Sequence, residues 1–182
     1  MAKTIHQQAS RLALHALVTI SLALAFAAAL PAAAQQGLTI GRSTGLPIPR
    51  FVSLDPRQTE VNVRFGPGQQ YPINWVFTRS GVPLEIIAEF DNWRKIKDYE
   101  GAEGWISARL LTGRRTIMIE GAVRDLRRTA DSRARVLLRA EPGVIGELLE
   151  CREDWCRVEI EGQRGWLLRG EFWGTLPGET VP

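Results

Sequence analysis

One short stretch limits the folds open to this chain more than any other: Val61-Asn62-Val63-Arg64-Phe65-Gly66-Pro67-Gly68. It alternates apolar and polar residues and then breaks on a Gly-Pro-Gly turn. Two further apolar runs follow, Val82–Ala88 and Trp93–Ile96, each bounded by turn residues, and the series ends at Gly104-Trp105-Ile106. Alternation punctuated by Gly and Pro about every 8–12 residues predicts a small antiparallel barrel or sandwich. The pattern then recurs. Leu126-Arg127 repeats Val63-Arg64, and Glu141-Pro142-Gly143-Val144 repeats Arg79-Ser80-Gly81-Val82. Glu153-Asp154-Trp155 repeats Asp91-Asn92-Trp93, and Gly165-Trp166-Leu167 repeats Gly104-Trp105-Ile106. A repeat of about 62 residues is the signature of two copies of one unit. The second copy departs at its first turn, where Arg128-Thr129-Ala130-Asp131 stands for Phe65-Gly66-Pro67-Gly68.

The V-N-V-R-x-G-P start, the Asp/Asn turn before Trp93 and the Gly-Trp-aliphatic end resemble the bacterial SH3 (SH3b) domain, densely from Val61 to Leu111. The resemblance implies an all-β fold with two tandem small SH3-like β-barrels. It also implies a binding module whose ligands are peptidoglycan stem peptides or other envelope proteins.

Residues 1–34 read as an address. Lys3 and Arg11 form a basic start, Leu12 to Leu30 is apolar and Ala-rich, and Ala32-Ala33-Ala34 offers small residues to a signal peptidase, with Gln35 the expected new N-terminus. The apolar run is long enough that a retained anchor is the alternative. Either way the chain is exported, and cleavage predicts a periplasmic protein with no stable membrane anchor. Cleavage also changes the charge. The whole chain has 23 Lys and Arg against 20 Asp and Glu. The segment holds two bases and no acids, so 21 against 20 leaves +1. Arg and Glu are interspersed, as on a solvated surface. No basic stripe for nucleic acid remains, so no nucleic-acid partner is expected.

Both histidines, His6 and His15, lie in the address segment. Nucleophilic sites built on His are then absent from the mature chain, as are His-based zinc sites. Two cysteines, Cys151 and Cys156, cannot supply four metal ligands. No catalytic residue, metal or cofactor is expected.

Along the chain, residues 35–50 are rich in Gly, Pro and Ser and predict a flexible leader. Phe51–Leu54 begins barrel one (51–113) and Thr116–Ile119 plays the same part in barrel two (114–175), leaving 176–182 as a tail. Ser107–Leu111 predicts a single 3₁₀ turn and a terminal strand. Units of this size sit near the lower limit for an independent core, which favours packing of the barrels on each other.

The six tryptophans are the main candidates for chemistry. Trp105 and Trp166 sit mid-strand after glycine and read as core packing. Trp93 and Trp155 follow turns directly and divide between packing and ligand contact. Tyr71 and Trp75 flank the long first loop as an exposed aromatic platform. Arg64, with Arg127 its repeat mate, is either a ligand contact or a structural arginine bound to a loop carbonyl. The candidate ligand-binding set is therefore Arg64, Tyr71, Trp75, Trp93 and Trp155.

Cys151 and Cys156 are expected to be bridged. Export brings an oxidising compartment. Leu148–Cys151 and Cys156–Ile160 read as two strands of a hairpin joined by a four-residue loop, Arg152-Glu153-Asp154-Trp155, which sets the cysteines opposite each other. Phe90 and Arg94 are the nearest matches in barrel one. The expected function is non-catalytic recognition of peptidoglycan peptides or envelope ligands. An assembly or structural role in the periplasm is the alternative, and a cell-wall-modifying enzyme is the least favoured.

Overall fold

The computed structural model describes residues 43–182, and the proposed cleavage site and the start of the leader lie outside the described residues. Two seven-stranded antiparallel sheets follow one another. The first holds β1 (Arg50–Leu54), β2 (Val61–Arg64), β3 (Ile73–Phe77), β4 (Pro83–Phe90), β5 (Trp93–Lys97), β6 (Glu103–Ser107) and β7 (Leu111–Thr112). The second holds β8 (Thr116–Ile119), β9 (Arg124–Arg127), β10 (Val136–Ala140), β11 (Ile145–Arg152), β12 (Trp155–Ile160), β13 (Gln163–Leu168) and β14 (Phe172–Trp173). The strand orders match, β3-β2-β6-β5-β4-β1-β7 and β10-β9-β13-β12-β11-β8-β14. A 3₁₀ turn precedes the last strand of each, at Ala108–Leu110 and Arg169–Glu171. Among the described residues there is no helix long and apolar enough to cross a membrane.

Alternation decides which side chains enter each core. In β2 the two valines are buried and Asn62 is exposed. In β5, Arg94 and Ile96 point in while Trp93, Lys95 and Lys97 are half-buried. The first core gathers Leu54, Val61, Val63, Leu84, Ile96 and Ile106 among others, and the second Ile117, Leu126, Val158, Ile160, Leu167 and the two cysteines.

The Gly-Trp motif corrects one expectation. Gly104 and Ile106 are buried, and Trp105 between them faces outward, half-buried. Gly165, Trp166 and Leu167 behave the same way. Neither tryptophan belongs to a core cluster. The inward partner is the glycine, because a neighbouring strand passes too close for a side chain. A Cβ on Gly104 would lie 2.4 Å from Val63 Cγ1, and one on Gly165 would lie 2.7 Å from the Arg127 carbonyl oxygen. Trp105 instead sits opposite Lys95 and Arg64 on the outer face, and Trp166 opposite Arg157 and Arg127.

The barrels are not independent. Met118, on β8 of the second sheet, is 3 % exposed and belongs to the core cluster of the first, with Ile145 packed beside it. Phe51 meets Trp173 edge-on at 4.9 Å between ring centres. The Ser53 and Thr116 hydroxyls are 2.6 Å apart, the Thr116 hydroxyl donates to the Gly81 carbonyl at 2.7 Å, and the Arg79 guanidinium donates to the Gly143 carbonyl at 2.9 Å. Burial of apolar area drives this contact, and the polar bonds fix its register.

Candidate functional site

The hairpin that ends in Trp93 is the best-defined polar construction in barrel one. Phe90 pairs with Trp93, so Asp91-Asn92 is a two-residue turn, and Asp91 sits at φ 48°, which Asp tolerates. One step further along the ladder, Glu89 pairs with Arg94. Both are buried. Arg94 Nε lies 3.2 Å from Glu89 Oε1, and Nη1 donates 2.8 Å bonds to the carbonyls of Asp91 and Trp93. Glu89 also pairs with Arg50. It accepts from the Ser43 hydroxyl at 3.1 Å, the Thr44 backbone N–H at 2.6 Å and the Thr44 hydroxyl at 2.9 Å. Burial alone would raise its carboxyl; the bonds from Arg50, Thr44 and Ser43 outweigh that and hold it at about 2. Leader, acid, arginine and turn carbonyls thus form one chain of contacts that ends at the backbone of Asp91 and Trp93.

A depression of about 750 Å³ lies between the first loop and the hairpin turn. Trp93 and Phe90 give it aromatic wall, Gln69, Gln70 and Asn92 give amides, and Arg109 gives a cation. Gln69, Gln70, Asn92 and Arg109 are exposed except for the backbone of the turn, and no side-chain hydrogen bond engages them among the described residues. Aromatic surface with free amides and a guanidinium suits a peptide backbone carrying a carboxylate.

The sequence candidates do not form one surface. Trp93 lines this depression. Trp75 is turned inward, packed on the first core and edge-on to Phe77 at 6.0 Å, and it lines a different recess with Tyr99. Tyr71 is exposed, and its ring lies over Gly66, where a Cβ would come within 2.4 Å. The pairing of Tyr71 with Trp75 as a platform therefore fails, because β3 alternates and sends Trp75 to the core side. Arg64 Nη1 donates to the Tyr71 carbonyl at 2.7 Å, and Arg127 Nη1 donates to the Ala134 carbonyl at 3.0 Å. The same bond in both copies places this arginine as a clamp on the first loop. Trp155 is half-buried at the corresponding turn of barrel two.

Barrel two holds its hairpin by other means. Cys151 pairs with Cys156 in the ladder and is bonded to it, with Cα atoms 4.1 Å apart. The turn is Glu153-Asp154 alone, two residues instead of four, and the barrel-one match of Cys151 is Glu89, not Phe90. With Cys156 in place of Arg94, the turn carbonyl needs another donor. Arg169, which replaces Ala108, donates to the Glu153 carbonyl at 3.1 Å and to the tail carbonyls of Leu176 at 3.2 Å and Glu179 at 2.8 Å. Sequence reading missed this exchange. Its only trace was an arginine lost at one repeat position and gained at another.

Two regions, 57–113 and 122–174, match the bacterial SH3 domain family, together more than half the chain. The chain belongs to that family, as a tandem pair. Membership suggests a binding module. No curated protein matches the chain. Among solved structures, NlpC1 from Trichomonas vaginalis is similar over 75% of this chain and 49% of its own, at 10% identity and TM-score 0.34. NlpC2 from Trichomonas vaginalis is similar over 68% and 47%, at 11% identity and TM-score 0.33. An NlpC/P60 family protein from Bacillus cereus is similar over 72% and 58%, at 12% identity and TM-score 0.31. The chain thus spans about half the length of these structures.

Proposed function

We propose that the protein is an exported, non-catalytic binding module of the cell envelope and that barrel one recognises a peptide, of peptidoglycan or of an envelope protein, in the depression walled by Trp93. The observation that carries this reading is the set of unengaged amides and the Arg109 guanidinium around a half-buried tryptophan. Membership of a family whose domains occur in envelope proteins and commonly bind cell-wall material supports it. On this reading residues 1–34 are a cleaved signal peptide, 35–50 a leader, 51–113 and 114–175 the two barrels, and 176–182 a tail. Barrel two, whose turn Arg169 braces, serves as support.

The test is a titration of the protein, labelled for NMR, with purified muropeptides and free stem peptides. Shifts centred on Gln70, Asn92, the Trp93 indole and Arg109 are expected. A Gln70→Ala/Asn92→Ala/Arg109→Ala variant should lose them with an unchanged thermal midpoint. A spectrum that no stem peptide disturbs would remove peptidoglycan as the ligand and leave the assembly role. Release of soluble muropeptides by the pure protein would instead overturn the non-catalytic reading.

A further inference from the structure

The end strand β3 and its counterpart β10 occupy the same place at the open edge of their sheets. Their ladders match position for position. Asn62 faces Val76 in barrel one, and Asp125 faces Arg139 in barrel two. Arg64 faces Ile73, and Arg127 faces Val136. Just past β2 stands Phe65, and just past β9 stands Arg128.

Barrel two covers this outer face with charge. Asp125 pairs with Arg127 at 3.0 Å and with Arg139 at 3.3 Å, and Arg128 is exposed beside them. Charged side chains on an end strand are a common guard against edge-to-edge pairing. Barrel one lacks that guard. Phe65 is 63% exposed, Ile73 46%, Val76 42% and Tyr71 40%, and β3 carries no charged residue from Ile73 to Phe77. A register shift leaves Asn74 as the extra residue of a bulge, so the regular free edge runs Trp75–Phe77 with Ile73 beyond it. Four large apolar side chains clustered on one hairpin exceed the scattered exposure of an ordinary surface.

We propose that β3 of barrel one is a self-association edge, pairing antiparallel with β3 of a second copy to extend the two sheets into one. Charge selects the occupant. β3 on β3 brings no like charges together, whereas β3 on β10 would set the apolar strand against the Arg139 side chain. The contact is therefore the same patch on both copies, which closes as a two-fold dimer and does not propagate into a filament. Val76 and Ile73 of the two copies become cross-strand neighbours on the outer face, with Phe65 and Tyr71 closing the rim. A strand this short makes a small interface, in the range of weak, concentration-dependent association. None of these residues lines the Trp93 depression, so the outcome does not depend on the ligand proposal.

Sedimentation velocity of the purified protein over a concentration range of about a hundred-fold, together with hydrogen exchange at both ends of that range, tests it. A monomer that converts to dimer as concentration rises is expected, with amides of Ile73–Phe77 exchanging several-fold more slowly in the dimer while β10 is unchanged. Val76→Arg, which copies Arg139, should abolish the dimer and keep the thermal midpoint. A protein that stays monomeric throughout overturns the proposal and turns the patch over to a different protein's strand. A dimer that survives Val76→Arg, or that protects some other segment and leaves β3 amides unaffected, overturns it as well.

Discussion

At one ladder position the two barrels solve the same problem in different chemistry. Barrel one crosses the hairpin with Glu89 and Arg94, buried and charged, and barrel two crosses it with Cys151 and Cys156, buried and bonded. Each is then covered by a different segment, the leader in one barrel and the tail in the other. Ser43 and Thr44 of the leader bind Glu89. The Cys151 backbone N–H donates to the Val181 carbonyl of the tail at 2.8 Å. In barrel two the segment before β8 is the connection from barrel one, and the tail takes the place that the leader has in barrel one. The difference teaches that the fold demands a tie at this point and leaves its chemistry open. A consequence follows for conditions. The ionic tie answers to acid and ignores reductant, whereas the covalent tie answers to reductant and ignores acid.

The largest effect should come from breaking the ionic tie. Glu89→Ala strands Arg94 and Arg50 without their acid, and loss of one partner of a buried pair costs about 3–5 kcal/mol. Urea denaturation should show that loss at neutral pH. The sign of the acid response is fixed by the depressed carboxyl. Its stabilisation is complete above the ordinary value of 4.5 and fades as pH falls toward about 2. The variant should lose this part of the acid slope; an unchanged slope would assign it to other carboxylates.

Removing the plug between the barrels ranks next. Met118→Ala should cost about 2–4 kcal/mol and lower the stability of barrel one although the residue lies in β8. Loss of protection confined to barrel two in hydrogen exchange would contradict the shared core. Breaking the covalent tie should do less. The loop it closes is short, so reduction or Cys151→Ser/Cys156→Ser should cost about 2 kcal/mol. Mass spectrometry after alkylation without reductant should find neither thiol labelled. The smallest effect belongs to Arg169→Ala, about 1–2 kcal/mol for the lost charged hydrogen bonds. It should also free the tail, read as faster exchange at the Cys151 amide. An undisturbed Cys151 amide would show that the tail holds without Arg169.

Strand positions were legible because alternation and turn residues mark them. Trp93–Lys97 and Thr116–Ile119 needed no structure, and the Cys151–Cys156 bond followed from the expectation of export and from hairpin pairing. Parity was less legible. Gly104-Trp105-Ile106 alternates whichever way it faces, and only the approach of Val63 shows that the glycine is the inner residue. Nothing in the neighbours of Glu89 announces that Ser43, Thr44 and Arg50 return to it across the sequence. Trp75 was misplaced by reading loop proximity above strand parity. Of the site, the turn before Trp93 was visible in the sequence, but the depression was not, because it is made by a loop and a 3₁₀ turn meeting over that hairpin.

Met118 has one more consequence, in time instead of space. The core of barrel one takes in Met118, six residues past the end of its own last strand, β7. In a growing chain β8 follows β7, and Met118 meets its ladder partner on β14 only when residue 173 arrives. Chains usually complete their first domain before the second. Here the first copy lacks part of its core until its twin begins to appear, which ties the completion of one to the other.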